Sequence, residues 1–172
     1  MKGISNWIWI AGGVIAGLII FSIAYNQIVQ ISLARVEQRS LEQYDETKNI
    51  INNLCWGFGG NKREYTVSLA ETIEGLYIAT SPYEKYEEEQ LINKIVSGET
   101  ATGNYLCIKV KNKRSGCEKV ECNTTMPFMG SVPEEFSFSA LLNKLMGRGK
   151  IFIYNLKFEK IETKVEVEFI ID

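Results

Sequence analysis

Between Lys2 and Arg35 the chain carries no charged residue, and that run limits the possible folds more than any other feature. Its centre, Trp7 to Tyr25, reads WIWIAGGVIAGLIIFSIAY. That is about 19 residues, and a helix rising about 1.5 Å per residue needs about 20 to cross a hydrocarbon core of about 30 Å. Lipid offers no partners to backbone N–H and C=O groups, so a single span must be a helix. Trp7, Trp9 and Tyr25 suit the two interfaces. Gly13 and Gly17 form a small-xxx-small pair that lets helix backbones approach closely.

No turn signal follows the span. Gly and Pro are absent from Asn26 to Trp56, and apolar side chains recur at Val29, Leu33, Val36, Tyr44, Thr47, Ile51 and Leu54. The spacing predicts one rod from Asn6 to Leu54, about 70 Å long, apolar in its first half and amphipathic in its second. Residues 1–55 are therefore assigned to a leader, membrane helix and stalk, and residues 56–172 to one head domain with its own core.

Net charge is −2 and histidine is absent. The near-neutral balance gives no electrostatic footprint for nucleic acid. Lack of histidine removes the usual general base and the commonest metal ligand. Neither a Gly-x-Ser-x-Gly elbow nor a Ser-x-x-Lys motif occurs. Glu71, Glu74, Glu134 and Glu135 read as loop and helix-start residues, so no enzyme, cofactor or metal site is expected.

Four cysteines, Cys55, Cys107, Cys117 and Cys122, follow the span. An even number beyond an anchor fits two disulfides in an oxidising space outside the cell. Of the three pairings, the favoured one joins Cys107 to Cys122 across a hairpin and Cys55 to Cys117 between rod and head. The spacing lacks the close cysteine pair usual in zinc sites. Asn123-Thr124-Thr125 is a glycosylation sequon.

In the head, Trp56-Gly57-Phe58-Gly59-Gly60-Asn61 reads as the cap or hinge that ends the rod. Tyr65–Leu69 and Gly75–Thr80 read as strands of a short hairpin or meander. Ser81-Pro82 introduces a helix from Tyr83 to Val96, closed by Gly98. Tyr105–Lys111 and Glu118–Cys122 flank a polar turn, and Ser131-Val132-Pro133-Glu134 opens a second helix. Alternation from Phe152 to Phe158 and from Ile161 to Ile171 gives two long strands. The expected class is α+β: a long N-terminal transmembrane and stalk helix, then an antiparallel β-sheet or sandwich head carrying two helices.

Lys2-Gly3-Ile4-Ser5, a basic residue and a glycine directly before an uncharged helix, resembles the class III signal peptide of archaeal type IV pilin-like proteins. The resemblance implies cleavage by a prepilin peptidase between Gly3 and Ile4, loss of a tripeptide only, and packing of the retained helix in a filament core. Bacterial type IV pilins carry a glutamate near the start of this helix where this chain has Ile8. The expected function is a structural subunit of a surface filament or pseudopilus. Its partners would be the lipid bilayer, the peptidase and copies of itself or other pilin-like subunits. The expected location is the cell membrane, single-pass, with the C-terminal domain outside. The alternative is an uncleaved single-pass protein whose ectodomain binds a partner or ligand at the cell surface.

Overall fold

The structure, a computed structural model, describes residues 3–113, 115–131 and 150–170. Helix α1 runs unbroken from Gly3 to Trp56. Six strands follow: β1 (Lys62–Ala70), β2 (Ile73–Ala79), β3 (Thr100–Val110), β4 (Gly116–Pro127), β5 (Ile151–Ile161) and β6 (Lys164–Phe169), with helix α2 (Glu88–Ser97) between β2 and β3. The molecule is α+β, and its strands form one sheet in the order β1-β5-β6-β4-β3-β2.

The sheet is mixed, which corrects the expectation of an antiparallel sheet or sandwich. β5 pairs antiparallel with β1, so the β5–β6 hairpin enters with a fixed direction. That leaves β6 parallel to β4 over Asn123–Thr125 and Lys164–Glu166. The second helix expected after Ser131 lies outside the described residues.

β1 and β2 stand at opposite ends of the strand order, yet only Glu71 and Thr72 separate them. A flat six-stranded sheet would hold its edges about 24 Å apart, whereas three peptide steps reach about 11 Å. The sheet therefore curls, bringing the linked ends of β1 and β2 together, while α1 and residues 128–131 line their free edges. Register shifts between Gly103 and Tyr105 in the β3–β4 pair, and between Ile73 and Gly75 in the β2–β3 pair, supply bends of the kind that bulges produce. Gly103 is needed where the sheet bends, since a Cβ there would sit 2.0 Å from the Ala79 carbonyl oxygen.

The expected β1–β2 hairpin does not form because α1 takes the place beside β1. Gln43 Oε1 accepts the Ser68 N–H at 2.6 Å and Ser40 Oγ accepts the Ala70 N–H at 2.9 Å. On the opposite flank of α1, Asn52 Oδ1 accepts the Glu121 N–H at 3.0 Å, and Lys48 pairs with Glu118. Between these contacts Tyr44, Ile50, Ile51 and Leu54 enter the main core with Val67, Leu69, Leu76, Leu106, Leu156 and Phe158. The second half of α1 is thus part of the head's interior.

Alternation sends Tyr77 and Cys107 to the other face, where they meet Leu91 of α2, Ala79 and Phe128 in a second cluster. α2 starts five residues later than the sequence suggests. Glu84 accepts hydrogen bonds from the Thr80 N–H, the Thr80 hydroxyl and the Tyr86 hydroxyl, which shape residues 80–86 as a turn. The helix then opens on a capping box between Glu87 and Gln90 and closes on Gly98 at φ 67°. The segment Phe128–Ser131 is built against the outer edge of β2: Met129 exchanges backbone hydrogen bonds with Leu76, and the Ser131 N–H donates to the Ile73 carbonyl.

The disulfides differ from the favoured pairing. Cys55 bonds to Cys122 and Cys107 to Cys117. The β3–β4 turn centres on Asn112 at φ 60°, so Cys107 lies directly opposite Cys117 in the register. Cys122 is five residues from Cys117, faces the other side of β4, and meets the end of α1. A tie between rod and head exists, made by Cys122 in place of Cys117.

Candidate functional site

Two surfaces of α1 are left bare by the fold. From Trp9 to Ile31 its large apolar side chains, among them Ile10, Val14, Leu18, Phe21 and Ile28, are exposed, whereas Ile51 is fully buried. By length and composition this helix can cross a membrane. A Cβ placed on Gly12, Gly13 or Gly17 would meet nothing within 4 Å, so the backbone there is open to another helix.

The second bare surface is the far end of the head. Contacts along α1 fix the direction: Glu37 pairs with Lys113, Ser40 meets Ala70, Lys48 pairs with Glu118 and Cys55 bonds to Cys122. The Lys111–Lys113 turn therefore lies at the end nearer the apolar run. Trp56 and Phe58 mark the far end and are 80% and 88% exposed. Trp56 follows Arg35 by 21 residues, about 32 Å of helix, which puts it well beyond any interface that the apolar run could reach.

The Trp56–Asn61 loop is a cap, and it is pinned. The Lys160 ammonium donates to the carbonyls of Cys55 at 2.5 Å and Gly57 at 2.7 Å. A cation there satisfies orphan carbonyls at the negative end of the helix. The Gly57 N–H donates to the Leu54 carbonyl, the Gly60 N–H to the Lys160 carbonyl and the Asn61 N–H to the Phe58 carbonyl. The glycine spacing announces this cap; nothing in the sequence pattern sets Trp56 and Phe58 apart from core aromatics.

The remaining candidates are dispersed. Lys2 and the second-helix acids Glu134 and Glu135 lie outside the described residues, and Gly3 and Ile4 open α1. Asn123 is exposed but sits in a strand paired on both sides, where its sequon neighbour Thr125 bonds to Thr102. Glu71 accepts the Lys150 N–H, and Glu74, buried in β2 and not in a loop or helix start, pairs with Lys109 at 2.9 Å. Among the described residues no three metal-ligating side chains cluster. A shallow groove bounded by Glu64, Tyr65, Thr66, Asn155 and Ile170 brings no catalytic pair together.

Electrostatics follow the packing. Burial, then the carboxylates of Glu118 and Asp45, raises the Tyr44 phenol, whose hydroxyl donates to the Leu106 carbonyl at 2.9 Å. Burial, then the Glu84 carboxylate, pushes Tyr77 up to about 12. The Tyr86 hydroxyl holds the Glu84 carboxyl below the usual range. These are structural hydrogen bonds. Comparison with protein-family models, with curated proteins and with solved structures finds no match.

Proposed function

We propose that the chain is a structural subunit of an archaeal pilin-like filament or pseudopilus, held in the membrane as a precursor and assembled through its apolar helix. The observation that carries this reading is the division of α1: its second half is covered by its own head, while from Trp9 onward the first half is covered by nothing among the described residues. A bilayer covers that surface in the precursor, and neighbouring helices cover it in the assembly, with burial of apolar area as the driving force. The open backbone at Gly13 and Gly17 supports close helix packing. Two disulfides and the absence of free cysteines among the described residues support a head that faces an oxidising exterior.

The test is the amino-terminal mass of protein recovered from its native membrane or surface fraction, with Gly3→Leu as control. A chain beginning at Ile4, and a Gly3→Leu chain left unprocessed, would support the reading. A chain that keeps Met1 would favour a permanent single-pass anchor whose ectodomain binds a surface partner.

A further inference from the structure

We infer that the heads stack end to end, the Trp56–Phe58 tip of one copy seating against Arg35 and Arg39 of the next; this rests on the filament reading. The two aromatic rings are exposed, and the loop that carries them is held by the Cys55–Cys122 bond, the Lys160 clamp and three backbone hydrogen bonds. Such a loop loses little freedom on binding, and rigid exposed aromatics are the usual anchors of protein contacts.

The complement is at the other end of the same head. Arg35 and Arg39 are exposed, and among the described residues neither makes an ion pair or side-chain hydrogen bond. Guanidinium groups pair with aromatic faces, Trp best of all. At about 100° per residue, Gly13, Gly17, Arg35 and Trp56 fall within about 60° of one another on α1, roughly opposite Ser40, Thr47 and Leu54, which face the sheet. The open glycines, the arginine and the tryptophan thus share the outer flank of one helix. Two parallel copies side by side, shifted by about 32 Å, bring Arg35 of one level with Trp56 of the other.

At that shift the end of the upper head that carries the Glu37–Lys113 pair comes level with the Trp56 end of the lower head. A patch on one end that fits a different patch on the opposite end makes a head-to-tail contact, and such contacts propagate without closing. A second copy is therefore the occupant that the chain's own surface provides for. The far end lies too distant from the apolar run for a bilayer to serve.

The experiment uses the full chain in its native membrane or filament. Native cysteines at the described positions are all bonded, so Gln38→Cys combined with Gly59→Cys introduces two accessible thiols beside the contact while keeping Trp56, Arg35 and Arg39. A short bismaleimide should produce a ladder of multimers from the double variant and none beyond a dimer from either single one. Without added cysteines, Trp56→Ala should lower the yield of assembled material about fivefold, the scale of one cation–π contact. Arg35→Lys with Arg39→Lys should retain assembly, and Arg35→Glu with Arg39→Glu should lose it. Filaments visible by microscopy with no ladder would overturn the stacking while leaving the filament reading in place. A monomeric chain that keeps Met1 and gives no ladder would overturn both.

Discussion

The two halves of α1 are one helix in two environments. Ile51, Ile50 and Leu54 are buried among strands, and Ser40, Gln43, Tyr44 and Asn52 bond the sheet's backbone. Toward the other end, Ile10, Leu18, Phe21 and Ile28 stand exposed with no polar anchoring among them. The difference lies in the kind of cover each half requires. The half that meets one particular sheet carries hydrogen-bonding groups at fixed heights, while the exposed half carries apolar bulk and glycine, a composition suited to a nonspecific apolar surrounding.

The largest expected effect tests the tie between the halves. Cys55 and Cys122 close a loop with a sequence separation of 67, against 10 for Cys107 and Cys117. Loop entropy puts their contributions at about 4 and about 3 kcal/mol. Cys55→Ser/Cys122→Ser should accordingly lower the melting temperature of the head more than Cys107→Ser/Cys117→Ser. The reverse order would mean that the helix is held by its packing alone.

Next comes a direct contrast between the halves. Ile51→Ala removes a fully buried side chain and should cost about 3 kcal/mol in chemical denaturation of the head. Ile19→Ala, in the exposed half, should leave that denaturation curve unchanged. A similar loss from both would show that the apolar half also packs on the head.

A smaller effect is expected from Ser40→Ala, which strips the Ala70 N–H of its partner and should cost about 1 kcal/mol. Hydrogen exchange at Ala70 should quicken, with little change at Cys107 on the far face.

The last contrast is pH dependence, which is confined to alkaline solution and is absent at neutral pH. Tyr44 and Tyr77 have phenols held above their ordinary value, so their contribution is complete below about pH 10 and is lost as pH rises through the folded values. Ultraviolet titration should show these tyrosines ionising only as the head unfolds. Ionisation of both in an intact head would contradict their burial.

What could be read in advance follows the reach of each signal. The uninterrupted apolar run and the missing glycines and prolines defined α1, and alternation from Phe152 onward defined β5 and β6. Pairings between distant segments were beyond reach. Nothing local says that Ser40 and Gln43 displace a strand from the edge of β1, or that β6 lies parallel to β4. The cysteine pairing hinged on whether the β3–β4 turn centres on Asn112, a shift of about two residues that exchanges one partner for another. Ser81-Pro82 looked like a helix start, but three hydrogen bonds to Glu84 outweigh that local preference. Of the bare surfaces, the apolar helix was plain from composition. The tip and its separation from Arg35 required the direction of the head along α1.

Because no linker separates the apolar half of α1 from the half inside the head, the molecule behaves as a lever. In a bilayer, with a pivot near Ala16, Trp56 lies about 60 Å up the arm, so a tilt of about 20° swings the tip sideways by about 20 Å. Any lean of the apolar half is thus delivered, magnified, to the two aromatic rings at the other end of the rod.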